Sequence, residues 1–446
     1  MKRKLALYGI IVLVILVFGS LQASQKKNEE IARVTVFRHV NVLPMDSNRL
    51  LPGQVVMIRD GRITQMGANS SIGDPPGAAV IDGAGAYLLP GLVDMHVHCD
   101  KTDFPLFLAN GITTVREMNG SPDHLKWRRE VASGELLGPK LYIASPLLAG
   151  EKQRWRHILI TDPHEASKIV KDLVAQGYDY IKVYDGLSPA VYDEILKTAK
   201  EAKIPVIGHI PSSISLEHAI ERGQIDFEHA NQITFAVVKG HSPITPQQTQ
   251  TAADAIVRAN IWVTPTLASI EALFRSGTNW YSSQLEKPEM KYVDSDTMAW
   301  WSSLKTSRNA TGSSTEREFS TPLGRQFFQS QADLVKVLEQ KGAHLLAGTD
   351  TPNPLMVPGF SLHEELRNLH SAGLSNFQVL QTATTNPAEF LGTSAQSGTI
   401  SAGKRADVLL VSQDPRENLD TLRNPIGVMV SGRWLSATDL KERIKK

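Results

Sequence analysis

Two histidines one residue apart, His96 and His98, close an apolar run through Leu88, Leu89, Pro90, Gly91, Leu92, Val93, Asp94 and Met95. In a β-strand residues i and i+2 face the same side, so both imidazoles project together while Val97 packs behind them. Two imidazoles fixed on one buried strand can hold a transition metal, zinc above all. Two unrelated core histidines would read the same in isolation. Other residues able to ligate a metal lie in or just after further short strand-like runs: Lys182 in Tyr180-Ile181-Lys182-Val183-Tyr184, His209 after Val206-Ile207-Gly208, His229 after Asp226-Phe227-Glu228, and Asp350 after Leu346-Ala347-Gly348-Thr349. Taken singly, His209 and His229 read as satisfied core histidines, Lys182 as a snorkelling or salt-bridged lysine, and Asp350 as a turn residue. Lys182 is the oddest, because an unpaired ammonium in an apolar strand is costly to bury.

The elements that must position these residues alternate. Strand candidates lie at 92–98, 112–118, 140–145, 180–184, 205–210, 226–230, 262–267 and 344–350, with amphipathic helical segments at 166–176, 189–202 and 216–222. Eight strands alternating with helices are the pattern of an α/β fold, a (β/α)8 TIM barrel, whose C-terminal strand ends converge on one catalytic face. An open doubly wound sheet is the alternative. The flanks differ in texture. Short strand-like runs with an Asp60-Gly61 hairpin signal near the N-terminus and a Ser431-Gly432 turn near the C-terminus predict one small β-domain completed by both ends of the chain. The expected organisation is a barrel over 87–375 and a composite β-sandwich over 32–86 and 376–446.

The bulk composition narrows the function classes. Lys and Arg number 47 against 46 Asp and Glu, so no basic footprint for nucleic acid stands out. The single cysteine, Cys99, excludes an intramolecular disulfide and a cysteine-based zinc site. Lys2, Arg3 and Lys4 precede an apolar segment at 5–21 and then a polar stretch, the pattern of an export signal or membrane anchor over 1–24. Location outside the cytoplasm, periplasmic or extracellular, is therefore expected. The expected partners are a small-molecule substrate, the membrane through that N-terminal segment, and further copies of the same chain.

The order His-x-His, Lys, His, His, Asp on strands one, four, five, six and eight resembles the amidohydrolase superfamily of metal-dependent hydrolases. Leu89-Pro90-Gly91-Leu92-Val93-Asp94-Met95-His96-Val97-His98, Gly111-Ile112-Thr113-Thr114-Val115-Arg116, Ile181-Lys182-Val183-Tyr184, Ala347-Gly348-Thr349-Asp350 and the tail from Gly398 to Asp407 are similar to its imidazolonepropionase-related and Xaa-Pro dipeptidase-like branch. The resemblance implies a binuclear site for two divalent metal ions, zinc by expectation. His96, His98 and Asp350 would bind the more buried ion, His209 and His229 the second, and Lys182 would bridge them as a carbamate formed with CO2. The ions would acidify a bridging water and polarise the scissile carbonyl. Asp350 would take the water's proton and deliver it to the leaving amine.

Beyond the metal ligands, Tyr184, Arg116 and His363 are candidate substrate contacts. The third strand ends Ala144-Ser145-Pro146 and lacks the histidine with which some dipeptidase relatives clamp a substrate carboxylate. Cys99 reads as a bystander or a soft ligand. The stretch 268–343, rich in Trp and Tyr, is long for a strand-to-helix connection and reads as a lid or as an extra helical hairpin packed on the barrel. The expected function is hydrolysis of an amide bond in a small peptide or N-acyl amino acid. The alternatives are hydrolysis of a cyclic amide, lactone or organophosphate ester by the same site, or a metal-dependent binding protein without catalysis.

Overall fold

The computed structural model describes residues 34–240, 242–304 and 322–445, with the side chains of 322 and 323 excepted. The N-terminal signal or anchor expected at 1–24 lies outside the described residues. Among those residues no helix is long and apolar enough to cross a membrane.

Parallel strands build the body of the protein. Leu92–Val97, Ile112–Glu117 and Lys140–Ile143 form one three-stranded parallel sheet. A second parallel sheet runs His157–Leu159, Leu147–Ala149, Ile181–Val183, Val206–Gly208, Asp226–Glu228, Trp262–Thr264 and His344–Leu345 in that order. Backbone bonds join the two at both margins. Ser145 N–H donates to Tyr180 O (2.8 Å) on one side. On the other, Met95 N–H donates to Ala347 O (2.9 Å), Asp350 N–H to His96 O (2.7 Å) and His98 N–H to Thr351 O (2.8 Å). The eighth expected strand is regular only over His344–Leu345, and the chain runs on to Asp350 without regular secondary structure. Leu147–Ala149 and His157–Leu159 were not foreseen. They are too short for a period-2 signal to stand out.

The helices between strands start where side-chain chemistry directs. Pro163–Gln176, Pro189–Glu201 and Leu216–Arg222 are capped by Asp162, Ser188 and Ser215, each accepting from a backbone N–H of the first turn. In the first two, proline at the opening position adds a preset φ. Their apolar faces, with Val170, Leu173, Ile195 and Leu196, join a core that also takes in Ile181, Val183 and Phe227 of the strands.

Both ends of the chain meet in a single mixed sheet of eight strands. Val408–Val411 pairs antiparallel with Tyr87–Pro90, which lies beside Val34–Val42. Pairing joins these strands into one continuous hydrogen-bonded sheet, and its halves also pack on one another: Trp434 of strand Arg433–Ser436 meets Phe37 of Val34–Val42 with ring centres 5.1 Å apart. Its hairpin turns are as predicted: Asp60 and Gly61 take φ 51° and 71°, Ser431 and Gly432 φ 49° and 74°. Two expected boundaries shift. Tyr87–Pro90 belongs to this sheet, because its backbone pairs there. Helices Asn376–Thr382 and Thr385–Phe390 belong to the parallel-strand body: Thr382 O and Ala383 O accept from Ala347 and Val93, and Val379 and Leu380 are in its core.

The 268–343 stretch is helical where described. Tyr281 and Trp301 are fully buried with Leu355, Met356 and Val357, and Trp301 Nε1 donates to Pro352 O (3.2 Å). Most of its aromatics therefore pack the structure. The polar segment from Ser302 to Thr321 lies mostly outside the described residues.

Candidate metal centre

The strand geometry brings His96, His98, Lys182, His209, His229 and Asp350 to the wall of one cavity of about 270 Å³. Asp350 Oδ1 lies 3.2 Å from His96 Nε2 and 3.2 Å from His98 Nε2. Ligand atoms of these three residues fall within 4.8 Å of one another, close enough to share an ion. The His229 ring centre lies 4.8 Å from that of His96 and 4.9 Å from that of His209.

Local backbone chemistry makes this crowding feasible. Gly208 precedes His209 at φ 129°, and a Cβ there would collide with Val183 O and stand 3.1 Å from Lys182 Cδ. Gly348 precedes Thr349 and Asp350, and a Cβ on it would stand 2.9 Å from His96 Cβ. Each glycine lets a neighbouring strand close in. His229 and Asp350 take φ 66° and 60°, unusual for residues with side chains and a mark of functional constraint when both lie in one site.

Three of the four imidazoles are engaged at Nδ1. His96 Nδ1 meets Glu228 Oε2 at 2.6 Å, His209 Nδ1 meets Asp185 Oδ1 at 3.0 Å, and His229 Nδ1 meets Thr266 Oγ1 at 2.7 Å. That leaves Nε2 of each ring as the free ligating atom. His98 Nδ1 is buried with no hydrogen-bond partner, 3.7 Å from Glu117 Oε1. Imidazoles tied on one nitrogen and converging on a carboxylate suit a divalent cation.

The electrostatics agree with a site built for charge. Burial lowers the Lys182 pKa, against the pull of Glu228 and Asp350. Burial opposes ionisation of Asp350, yet His96 and His229 hold its carboxyl well below the usual range. Burial likewise resists charging His98, but Asp350 and Glu117 raise it to about 9. Burial drives His229 well down. Asp350 Oδ2 is further held by the carboxamide of Asn353.

The expected substrate contacts divide. Tyr184 lines the cavity, its ring centre 4.0 Å from that of His209. Arg116 does not reach it. Its guanidinium is fully buried beneath His96, donating to Asp226 Oδ2 (2.6 Å), Glu228 Oε1 (2.7 Å) and Met95 O (2.6 Å). Two inward-facing acids on the strand Asp226–Glu228 capture it, a partnership that the acid-apolar-acid alternation of 226–228 could have signalled. His363 is also absent from the cavity wall. It is buried within helix Phe360–Ser371, neither nitrogen has a partner, and burial lowers it to about 3. Cys99 sits beside Glu117 and His124. Both His124 nitrogens are occupied, Nδ1 accepting from Ser121 N–H and Nε2 bonded to Cys99 O. Burial and Glu117 hold the Cys99 thiol well above its usual range, and His124 offers no free nitrogen beside it.

Residues 87–435 match the model of the Amidohydrolase family. Among curated proteins, the chain is 23% identical over 420 residues to an adenine deaminase of Moorella thermoacetica and 21% identical over 385 residues to one of Mesorhizobium japonicum. These alignments take in 90% and 84% of this chain but 57% and 53% of those proteins, so the chain spans little more than half their length. Among solved structures, a bottromycin amidohydrolase superposes with TM-score 0.73 at 24% identity, covering 93% of this chain and 89% of that one. A prolidase-like protein from Bifidobacterium longum gives 0.70 at 20%, covering 93% and 98%. A Xaa-Pro dipeptidase with bound methionine gives 0.68 at 18%, covering 90% and 100%. At these identities the likeness is one of fold.

Proposed function

Because this chain belongs to the amidohydrolase family, we propose that it is a metal-dependent hydrolase of carbon–nitrogen bonds, cleaving an amide of a small peptide or N-acyl amino acid. The observation that carries the reading is Asp350 Oδ1 standing 3.2 Å from Nε2 of both His96 and His98, with Lys182, His209 and His229 around the same cavity. The parallel strands are read as a (β/α)8 barrel, supported by the backbone bonds from Met95, His98 and Asp350 on one margin and Ser145 on the other. The proposal includes export through residues 1–24.

In this reading His96, His98 and Asp350 hold one divalent ion, His209 and His229 a second, and Lys182 spans them as its carbamate. Zinc is the expected metal. Bound ions would supply Lewis acidity and an acidified water. Burial disposes Lys182 towards the neutral amine, the form that adds to CO2 with loss of a proton. Glu228, Asp185 and Thr266 hold three imidazoles by Nδ1, so their orientation needs no rearrangement during turnover. Asn353 fixes the Asp350 carboxylate, which accepts a proton at Oδ1 from the attacking water and returns it to the leaving nitrogen. The cavity wall contributed by Tyr184, Leu147 and Ile270 limits water around the amide.

The names of the curated relatives favour a second reading, deamination of an aromatic amidine such as adenine. Zinc-loaded protein screened in parallel against dipeptides, N-acyl amino acids, lactones, phosphotriesters and adenine separates the two. Turnover of amides above the rest is expected. Turnover of adenine alone, or of esters alone, would replace the amide reading.

A further inference from the structure

The cavity carries side chains that hydrolysis itself does not use. Among the described residues few large apolar side chains stand at solvent: Val80, Trp155, Leu159, Leu273 and Ile426. Two of them, Trp155 and Leu273, border this one cavity, beside the more buried Leu147 and Ile270. Trp155 is not a loose ring. Trp300 packs edge-on against it, with centroids 5.5 Å apart at 72°, and the Arg154 guanidinium lies 4.1 Å from the Trp300 centroid and 5.3 Å from that of Trp155. A tryptophan supported from behind and left open towards a cavity is a preformed apolar platform.

A second observation is independent of the first. Asn231, three residues past the end of strand Asp226–Glu228, also lines the cavity, and its Oδ1 is buried without a hydrogen-bond partner. Buried carboxamide oxygens are ordinarily satisfied. One left open beside a substrate cavity is completed when a ligand supplies an N–H.

We propose that the substrate lays a flat apolar group, an aryl ring of its acyl part or of a side chain, on Trp155 and Leu273 and donates an N–H to Asn231. This names the flank of the amide and rests on the hydrolase reading above. Stacking on an indole adds to simple burial, so the ring should be worth about tenfold in recognition.

The test uses the full zinc-loaded chain with N-benzoylglycinamide and N-acetylglycinamide as substrates, and the non-hydrolysable N-benzylmethanesulfonamide and N-methylmethanesulfonamide as calorimetric probes. The benzoyl amide should exceed the acetyl amide about tenfold in kcat/KM, and the benzyl probe should bind about tenfold more tightly than the methyl probe. Trp155→Ala should collapse both ratios towards one, and Asn231→Ala should weaken both probes about tenfold. Should no amide turn over while the benzyl preference persists and depends on Trp155, the platform stands and the hydrolase reading falls. Equal handling of ring and methyl by the wild type, or a preference that survives Trp155→Ala, overturns the platform. Probe binding unchanged by Asn231→Ala removes the N–H contact.

Discussion

Glu228 Oε2 lies 2.6 Å from His96 Nδ1, while Nε2 of the same ring faces Asp350 Oδ1 at 3.2 Å. The carboxylate fixes the tautomer, because with the proton on Nδ1 the lone pair on Nε2 points into the cavity. Glu228 is itself held by Arg116 at 2.7 Å, and burial of both leaves neither free to move. Arg116 keeps the Glu228 carboxyl ionised against burial. A residue read from sequence as a substrate contact thus acts two bonds behind a proposed metal ligand.

Glu228→Ala should therefore weaken zinc binding about 10–100-fold, measured by competition with a chromogenic chelator. Glu228→Gln, which keeps the volume and one acceptor, should lose less. Equal affinity in all three proteins would remove the orienting role.

Lys182 is tested by carbon dioxide. Metal-free protein reloaded with zinc in bicarbonate-depleted buffer should take up less metal than in bicarbonate, and Lys182→Ala should show no such difference. A wild type indifferent to bicarbonate would remove the carbamate.

Asp350→Asn should cut turnover about 10²–10⁴-fold, the range for loss of a general base, while retaining most of the bound metal. Turnover within a few-fold of wild type would assign the proton transfer elsewhere.

Glu365 offers a pH signature away from the metal centre. Burial raises it from its ordinary 4.5 to about 8, although Ala268 N–H donates to Oε2 at 2.7 Å, and Oε1 has no partner. The folded state then holds a proton that the unfolded state releases above about 4.5, so this group's contribution to stability falls as pH rises from 4.5 to 8. Glu365→Gln should remove that slope, gaining on the order of a few kcal/mol at pH 8 and little at pH 5. Thermal melts at both pH values check it; an equal change at both would contradict the assignment.

How much was legible follows from what each signal depends on. The six candidate ligands lie on or just after short strand-like runs, and strand periodicity together with an alternating strand–helix order was enough to expect them on one face. The orienting partners Glu228, Asp185 and Thr266 were missed, because their meaning lies in cross-strand distances that no spacing encodes. Arg116 and His363 were misread for the same reason: a buried arginine paired to two acids and a helix-borne histidine look in sequence like any polar residue near a site. The single mixed sheet was only half visible, since turns mark hairpins but not which hairpins pair. Trp155 and Asn231 emerged only once exposure and hydrogen bonding could be seen.

The central claim is that His96, His98, Lys182, His209, His229 and Asp350 form one two-ion centre. Elemental analysis of the purified chain by plasma mass spectrometry, beside a His209→Ala, His229→Ala double variant, tests it directly. The account predicts about two divalent ions per wild-type chain and about one in the variant. One ion or none in the wild type, or no loss in the variant, would contradict it.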